Sequence, residues 1–362
     1  MSTAPTGRTG APSVSVVICV YTEDRWGDIL AAVASVRDQS YPALETLLVV
    51  DHNPALLRRL AKAYGDDAWD TSQVPEAMEE GAEPHRIRVL ANAGRRGLSA
   101  GRNTGIAASS GEVVAFLDDD AVAERDWLLH FAEGYADPRV MAVGGRTQPV
   151  WASRRRPAWF PEEFDWIVGC TYRGLPPGKV AVRNVLGGNA SFRRSALEAV
   201  GGFASGIGRD GHRLPLGGEE TELCIRLTRA LPDAVLLIDD RSVIHHRVPE
   251  VRERFRYFGT RAYAEGLSKA LVASSVGARA GLESERRYTT RVLPAGVARG
   301  VRDALLGRPG GAGRAGAIVA GVFAAAGGYA LGSLRARRGG GRFAVAALGP
   351  ATELPACEGA EV

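Results

Sequence analysis

Glu112-Val-Val-Ala-Phe-Leu-Asp118-Asp119-Asp120-Ala121 is the stretch that decides how this chain is read. Val113 to Leu117 form a short, unbroken apolar run, as expected of a strand buried on both faces. Three acids follow without a spacer. At the carboxyl end of a central strand in an open α/β sheet they would lie on the edge where ligands bind. Adjacent carboxylates repel one another, so the cluster calls for a cation or open solvent. A hard divalent ion, keeping open positions for phosphate oxygens, meets that need. So does a solvated turn capping the helix predicted from Asp126, and three acids alone do not separate the two.

The segments upstream supply the sheet. Ser13 to Val20 reads as a buried first strand, and Thr22 or Asp24 can cap a helix running to Arg37. Leu44 to Val50 is a second strand closing on Asp51-His52-Asn53-Pro54, with a short helix from Leu56 to Tyr64. Asp66 to His85 is acidic and aperiodic, the pattern of a surface excursion. Ile87 to Leu90 give a third strand, and Asn92 to Asn103 lead through glycines and Arg102 into a helix ending near Ser109. Strand alternating with helix predicts a parallel sheet, whose crossovers bring Tyr21, Thr22, Glu23, Asp51 and the three aspartates to one edge. No G-x-G-x-x-G follows the first strand and no G-x-x-x-x-G-K-[ST] occurs, which argues against a dinucleotide dehydrogenase and a P-loop enzyme.

Downstream, a helix over Asp126–Ala136 and a strand over Val140–Val143 precede a mixed segment, Trp151 to Gly178. Its Trp151, Trp159 and Trp166 stand beside Arg154-Arg155-Arg156, a composition compatible with a sugar-facing wall or with ordinary core. Leu186-Gly-Gly-Asn189 reads as a loop leading into a strand, with glycines that permit close backbone approach. Gly217-Gly218-Glu219-Glu220 precedes a helix with Leu223, Leu227 and Leu231 four apart. Both glutamates therefore fall at a helix N-terminus, where the dipole favours acids whether or not they are functional. Strands at Val235–Ile238 and Ser242–Ile244 end in His245-His246, either of which could complete a metal shell if the chain folds back to the aspartates.

These stretches, taken in order, resemble the family 2 glycosyltransferases with the GT-A fold: S-V-V-I-C-V-Y-T-E, V-V-D-H-N, N-A-G-R-R-G-L-S-A-G-R-N-T-G, F-L-D-D-D-A, G-G-N-A-S-F-R-R and G-G-E-E-T-E-L-C-I-R. The resemblance implies a Rossmann-like α/β fold, a mostly parallel mixed sheet with helices on both faces, over residues 13–247. It implies an inverting transfer from a nucleotide sugar, UDP-linked by expectation, that requires Mg²⁺ or Mn²⁺. Asp51 would bind the nucleobase, with Tyr21, Thr22 and Glu23 lining its pocket. Asp118, Asp119 and Arg102 would face the donor, and Asp118, Asp120 and His245 would hold the metal. Glu220, with Glu219 as the alternative, would be the catalytic base. Glu-Glu stands where relatives carry Glu-Asp, and Val20 and Thr22 stand where Thr and Asn are common. The Q-x-x-R-W element of processive synthases is missing. The competing readings are a nucleotidyltransferase, which would want a glycine- and lysine-rich loop after the first strand, and a nucleotide-sugar-binding protein without turnover, which would have lost the acids.

The charge belongs to the far end. Between Arg286 and Arg342 eleven arginines face one acid, Asp303, so this region carries +10, against +4 for the whole chain and hence −6 for the rest. Residues 248–342 are thus expected to form a basic helical extension. Arg254 to Val272 resembles the segment that follows the catalytic domain in enzymes acting on polyprenyl-linked sugars, such as dolichyl-phosphate-glucose glucuronosyltransferases. Ala315 to Leu334 is twenty residues without a formal charge, bracketed by Arg314 and Arg335, long enough to span a bilayer core yet rich in glycine and alanine. An anionic cytoplasmic membrane surface is the expected partner, with a glycan or lipid-linked acceptor and no nucleic acid. Cys19, Cys170, Cys224 and Cys357 have no metal or disulfide spacing, as fits a cytoplasmic setting. Residues 1–12 read as a disordered leader and 343–362 as a disordered tail.

Overall fold

The computed structural model describes residues 11–65, 86–204, 217–276 and 287–339. The acidic stretch 66–85, residues 1–10 of the leader and the tail 343–362 lie outside them. Strand β1 (Val14–Val20) pairs in parallel with β2 (Glu45–Val50) and β4 (Val113–Leu117), and β2 pairs in parallel with β3 (Arg86–Ala91). Helices α1 (Trp26–Arg37), α2 (Pro54–Tyr64) and α3 (Leu98–Ala108) make the crossovers. The predicted parallel half is therefore present, with boundaries shifted by a residue or two at most strand ends.

Strands in mixed orientation complete the sheet. After β5 (Ala121–Ala123) and α4 (Trp127–Gly134) come β6 (Val140–Trp151), β7 (Lys179–Ala181), β8 (Asn189–Arg193) and α5 (Arg194–Ala199). Helix α6 (Glu219–Ala230) and β9 (Val235–Val248) follow. The order is β3-β2-β1-β4-β8-β6-β9-β5, with β7 on β9. β6 and β9 are far longer than their apolar runs. β6 pairs with β9 in parallel through a register shift between Gly144 and Arg146; opposite it β9 leaves the β6 ladder after Ile238 and rejoins it at Val243, so Asp239-Asp240-Arg241 lie in the irregular stretch and only Asp239 is paired, with Lys179 of β7.

Alternation along β1 divides the core. Val14, Val16, Ile18 and Val20 meet Ile29, Val33, Leu56 and Phe131 on one face. Val17 on the other face joins Phe116, Ile106, Leu197 and Leu227. A third cluster lies beyond the sheet: Trp151, Phe160, Phe164 and Val248 pack with Phe258, Leu293 and Ile318 of the last three helices. These are α7 (Phe255–Val276), α8 (Leu293–Leu305) and α9 (Gly311–Gly339). Trp151 is buried here and Trp159 and Trp166 pack against the same cluster, so of the two readings of the tryptophans the core reading holds. The two described cavities, about 340 and 570 Å³, lie along this junction and around Thr147, Thr171 and Pro176, away from the three aspartates.

Candidate active site

Register brings the separate stretches to the acids. Leu117 pairs with Asn189 across β4 and β8, so Gly188 arrives opposite Asp118. A Cβ at Gly188 would lie 2.3 Å from Asp118 Oδ2, so glycine lets the loop pass without displacing the carboxylate. The glycines read as permitting close approach thus admit a side chain of the site itself. Asn189 then accepts a hydrogen bond from Trp127 Nε1 at 2.7 Å and donates to the Arg146 and Ser242 carbonyls, tying β8 to α4, β6 and β9.

β9 pairs antiparallel with β5, placing His246 opposite Ala121, directly after the aspartates. His246 is buried, and its Nε2 lies 3.1 Å from Asp120 Oδ1. His245, expected at the metal, is one residue away on the strand and points to the other face. It is 38% exposed and pairs with Glu124 at 3.0 Å. The imidazole brought to the acids is therefore His246. One donor atom each from Asp118, Asp120 and His246 fall within 4.8 Å of one another, a set of oxygen and nitrogen donors suited to a divalent ion.

Two arginines that the sequence reading passed over complete the electrostatics. Arg25, in the tight turn before α1, bridges the cluster: Nη1 pairs with Asp119 and Nη2 lies 3.1 Å from Asp120. Arg252, just past β9, approaches Asp120 at 4.0 Å. Burial would raise the Asp120 carboxyl, but His246, Arg25 and Arg252 together hold it well below the usual carboxylate range. Burial pushes Asp119 up to about 7 against the pull of Arg25, and its Oδ2 is buried without a hydrogen-bond partner among the described residues. Asp118 remains partly exposed, the most accessible of the three. A sequence signal for Arg25 does exist: a cation beside a helix N-terminus opposes the dipole and invites the question of which anion it faces.

Arg102 on α3 is buried, and its guanidinium lies 3.1 Å from Glu219, donates to the Gly187 carbonyl at 2.9 Å and reaches within 3.9 Å of Asp118. It links the aspartates to the glutamate helix. Gly218, at φ +92°, turns the chain into α6, and the Gly217 N–H donates to Ser268 Oγ on α7 at 2.9 Å. Glu219 is buried against Arg102. Glu220 is half-buried and has no ion pair among the described residues; burial, then the charge of Glu219, pushes its carboxyl up to about 8.

On the neighbouring strand ends, Asp51 accepts from Asn92 Nδ2 at 2.7 Å and from the Gly97 N–H at 3.0 Å, fixing the loop that leads into α3. Tyr21 is exposed beside Arg25, Thr22 caps the turn by accepting from the Asp24 N–H, and Glu23 lies near Arg59. Residues 15–201, β1 through the start of the loop after α5, match the family model for glycosyl transferase family 2.

The chain belongs to glycosyl transferase family 2. It is a glycosyltransferase. Among its family 2 relatives is the glucosyl-dolichyl phosphate glucuronosyltransferase of Haloferax volcanii, 34% identical over 260 residues, which make up 72% of this chain and 77% of that one. The pre-mycofactocin glycosyltransferase of Mycobacterium tuberculosis is 30% identical over 209 residues, 55% of this chain and 43% of that one. The mannosyltransferase PcManGT from Pyrobaculum calidifontis, solved with GDP-Man and Mn²⁺, shares the GT-A fold at a TM-score of 0.54 and 19% identity, covering 90% of this chain and 88% of that one.

Proposed function

We propose that this glycosyltransferase is an inverting, divalent-metal-dependent enzyme that moves a sugar from a nucleotide sugar, UDP-linked by its resemblance, to a hydroxyl of a lipid-linked or cell-envelope glycan at the cytoplasmic face of a membrane. The observation that carries this reading is the convergence of Asp118, Asp120 and His246 on one point, with the glutamate pair joined to them through Arg102. The Haloferax relative is named for a glucosyl-dolichyl phosphate, and the Pyrobaculum mannosyltransferase holds a nucleotide sugar with Mn²⁺; both support the assignment.

The residues fit a divalent cation: their donors are hard oxygens and one imidazole, beside Asp119 Oδ2, which has no hydrogen-bond partner among the described residues. Asp118, Asp120 and His246 would hold Mg²⁺ or Mn²⁺, which when bound offsets the charge of the departing nucleoside diphosphate. Tyr21, Thr22, Glu23 and Asp51 line the same sheet edge and bind the nucleoside half of the donor. Arg102 positions Asp118 against α6. Glu220 accepts the proton of the acceptor hydroxyl as that oxygen attacks the anomeric carbon from the face opposite the leaving group, inverting the centre. Burial, then the charge of Glu219 held by Arg102, raises the Glu220 carboxyl to about 8, so that it serves as base in its ionised form as pH rises through that value.

The test is nucleoside diphosphate release by the purified full-length protein from a panel of nucleotide sugars with Mn²⁺ and a lipid-extract acceptor, with and without chelator. Release from one donor, abolished by chelation, is expected. Chelator-insensitive release would overturn the metal assignment, and failure of every donor to bind would overturn the reading as a whole.

A further inference from the structure

Between Ala312 and Leu334 the outward face of α9 exposes no polar side chain. Ala312, Gly316, Val319, Phe323, Ala330 and Leu334 recur at helical spacing and are all exposed, Phe323 by 73%. From Ala312 to Leu334 this is about 33 Å of apolar surface. Helix α8 packs beside it and extends the patch with Ala298, Val301, Leu305 and Leu306; Leu305 is 84% exposed. A surface helix of a globular protein normally turns charges to water. An apolar patch of this length marks a contact with something else.

Three observations choose the occupant. First, the patch has a basic rim: Arg302 and Arg308 are 64% and 60% exposed, and Arg291 and Arg335 are exposed at the far ends. Asp303, the only acid between residues 287 and 339, is shared by Arg302, Arg308 and Arg314, so one carboxylate faces three guanidinium groups and the rim stays net positive. A second copy of the same face would set arginines against arginines, whereas an anionic headgroup layer complements them. Second, α9 is long and apolar enough to cross a bilayer, with a mean hydropathy of 1.7 over an 18-residue window within Gly311–Arg335. Third, its inner face is fastened to α7: a Cβ at Gly328 would lie 2.0 Å from the Tyr263 carbonyl oxygen, and a Cβ at Gly266 the same distance from that of Ala325. Alongside run Arg261, Glu265 and Lys269, ion-paired on α7. A bilayer enclosing α9 would have to enclose those charges too.

We infer that α8 and α9 form a monotopic membrane-docking surface: α9 lies in the plane of an anionic bilayer, immersing Phe323, Val319 and the Leu305-Leu306 corner, with the arginines at headgroup level. The inference deepens the lipid-linked-acceptor reading and rests on it, because such docking holds the enzyme in the layer that carries that acceptor.

The test is flotation of the full-length protein with vesicles of phosphatidylcholine alone or mixed with phosphatidylglycerol, at low and high salt. Binding to the mixed vesicles is expected, with Phe323→Glu and, independently, Leu305→Glu each lowering the partition coefficient by about tenfold or more at unchanged melting temperature. Arg302→Gln with Arg308→Gln should lower it on anionic vesicles only, by about fivefold per residue. Alkaline carbonate should release the bound protein. Resistance to carbonate would overturn the in-plane orientation in favour of a span. Absence of vesicle binding, with a dimer that Phe323→Glu dissociates, would overturn the proposal in favour of a second copy. Nucleoside diphosphate release, assayed in parallel without vesicles, separates the two readings: turnover without vesicle binding overturns only this one, and vesicle binding without donor turnover overturns only the catalytic one.

Discussion

Arg25 Nη2 lies 3.1 Å from Asp120 Oδ2 while the other terminal nitrogen of the same guanidinium pairs with Asp119. One side chain thus neutralises two of the three acids from a turn on the neighbouring strand. Arg25→Ala leaves two buried carboxylates facing each other, and a loss of about 3 kcal/mol is expected from breaking a buried pair. A divalent ion should recover part of it. The upward shift of melting temperature on adding Mn²⁺ is therefore expected to be larger in the variant than in the parent, and equal shifts would show that Arg25 has no part in neutralising the metal site.

Glu220→Gln is expected to lower kcat by about a thousandfold while donor binding, measured by calorimetry, persists. Because burial and Glu219 push the Glu220 carboxyl up to about 8, the base is protonated below that pH. The kcat of the parent should rise with pH through about 8 and level off above it, and the glutamine variant should lack this limb. The same shift has a stability sign. The folded state holds the proton more tightly than the unfolded chain, whose carboxyl titrates near 4.5, so this group's contribution to stability is full below that pH and is lost as pH rises through about 8.

His246→Ala and His245→Ala are neighbouring substitutions with opposite expectations. The first removes the imidazole 3.1 Å from Asp120 and should weaken Mn²⁺ binding, followed by electron paramagnetic resonance, by about tenfold or more. The second breaks an exposed pair with Glu124 and should change binding little. The reverse ranking would mean that β9 meets β5 in a different register.

Gly188→Ala should act on Asp118 alone. The added methyl would sit 2.3 Å from Oδ2 and must displace that carboxylate, so turnover is expected to fall by about a hundredfold. Gly259→Ala on α7, where nothing lies within 4 Å of a Cβ, is the control; it should leave turnover intact and raise stability by about 0.5–1 kcal/mol.

What the sequence discloses, and what it hides, follows from the kind of signal each feature leaves. The parallel half of the sheet is legible because β1, β2 and β4 are buried on both faces and must be apolar at nearly every position. The other half, where β6 and β9 pair in parallel between antiparallel neighbours, is partly illegible: β6 contains Gly144, Gly145, Arg146 and Pro149, and β9 contains Asp239-Asp240-Arg241, residues that interrupt the apolar runs while both strands continue across a register shift. The choice between His245 and His246 is a matter of strand register, which adjacent identical residues cannot encode. Arg252 left no signal at all, since an arginine in a short turn after a strand is ordinary until the fold carries it to Asp120.

The core shared by Trp151, Phe160, Phe164, Phe258 and Ile318 sets a limit on how this enzyme can be shortened. Residues 248–342 read in sequence as an extension outside the catalytic domain, yet cutting there would strip the cover from Trp151 and Phe160 and remove both Arg252 beside Asp120 and Ser268 beneath Gly217. A protease acting on the native protein should therefore yield no active catalytic fragment, and its solubility and its turnover should vanish together at the first cut within α7.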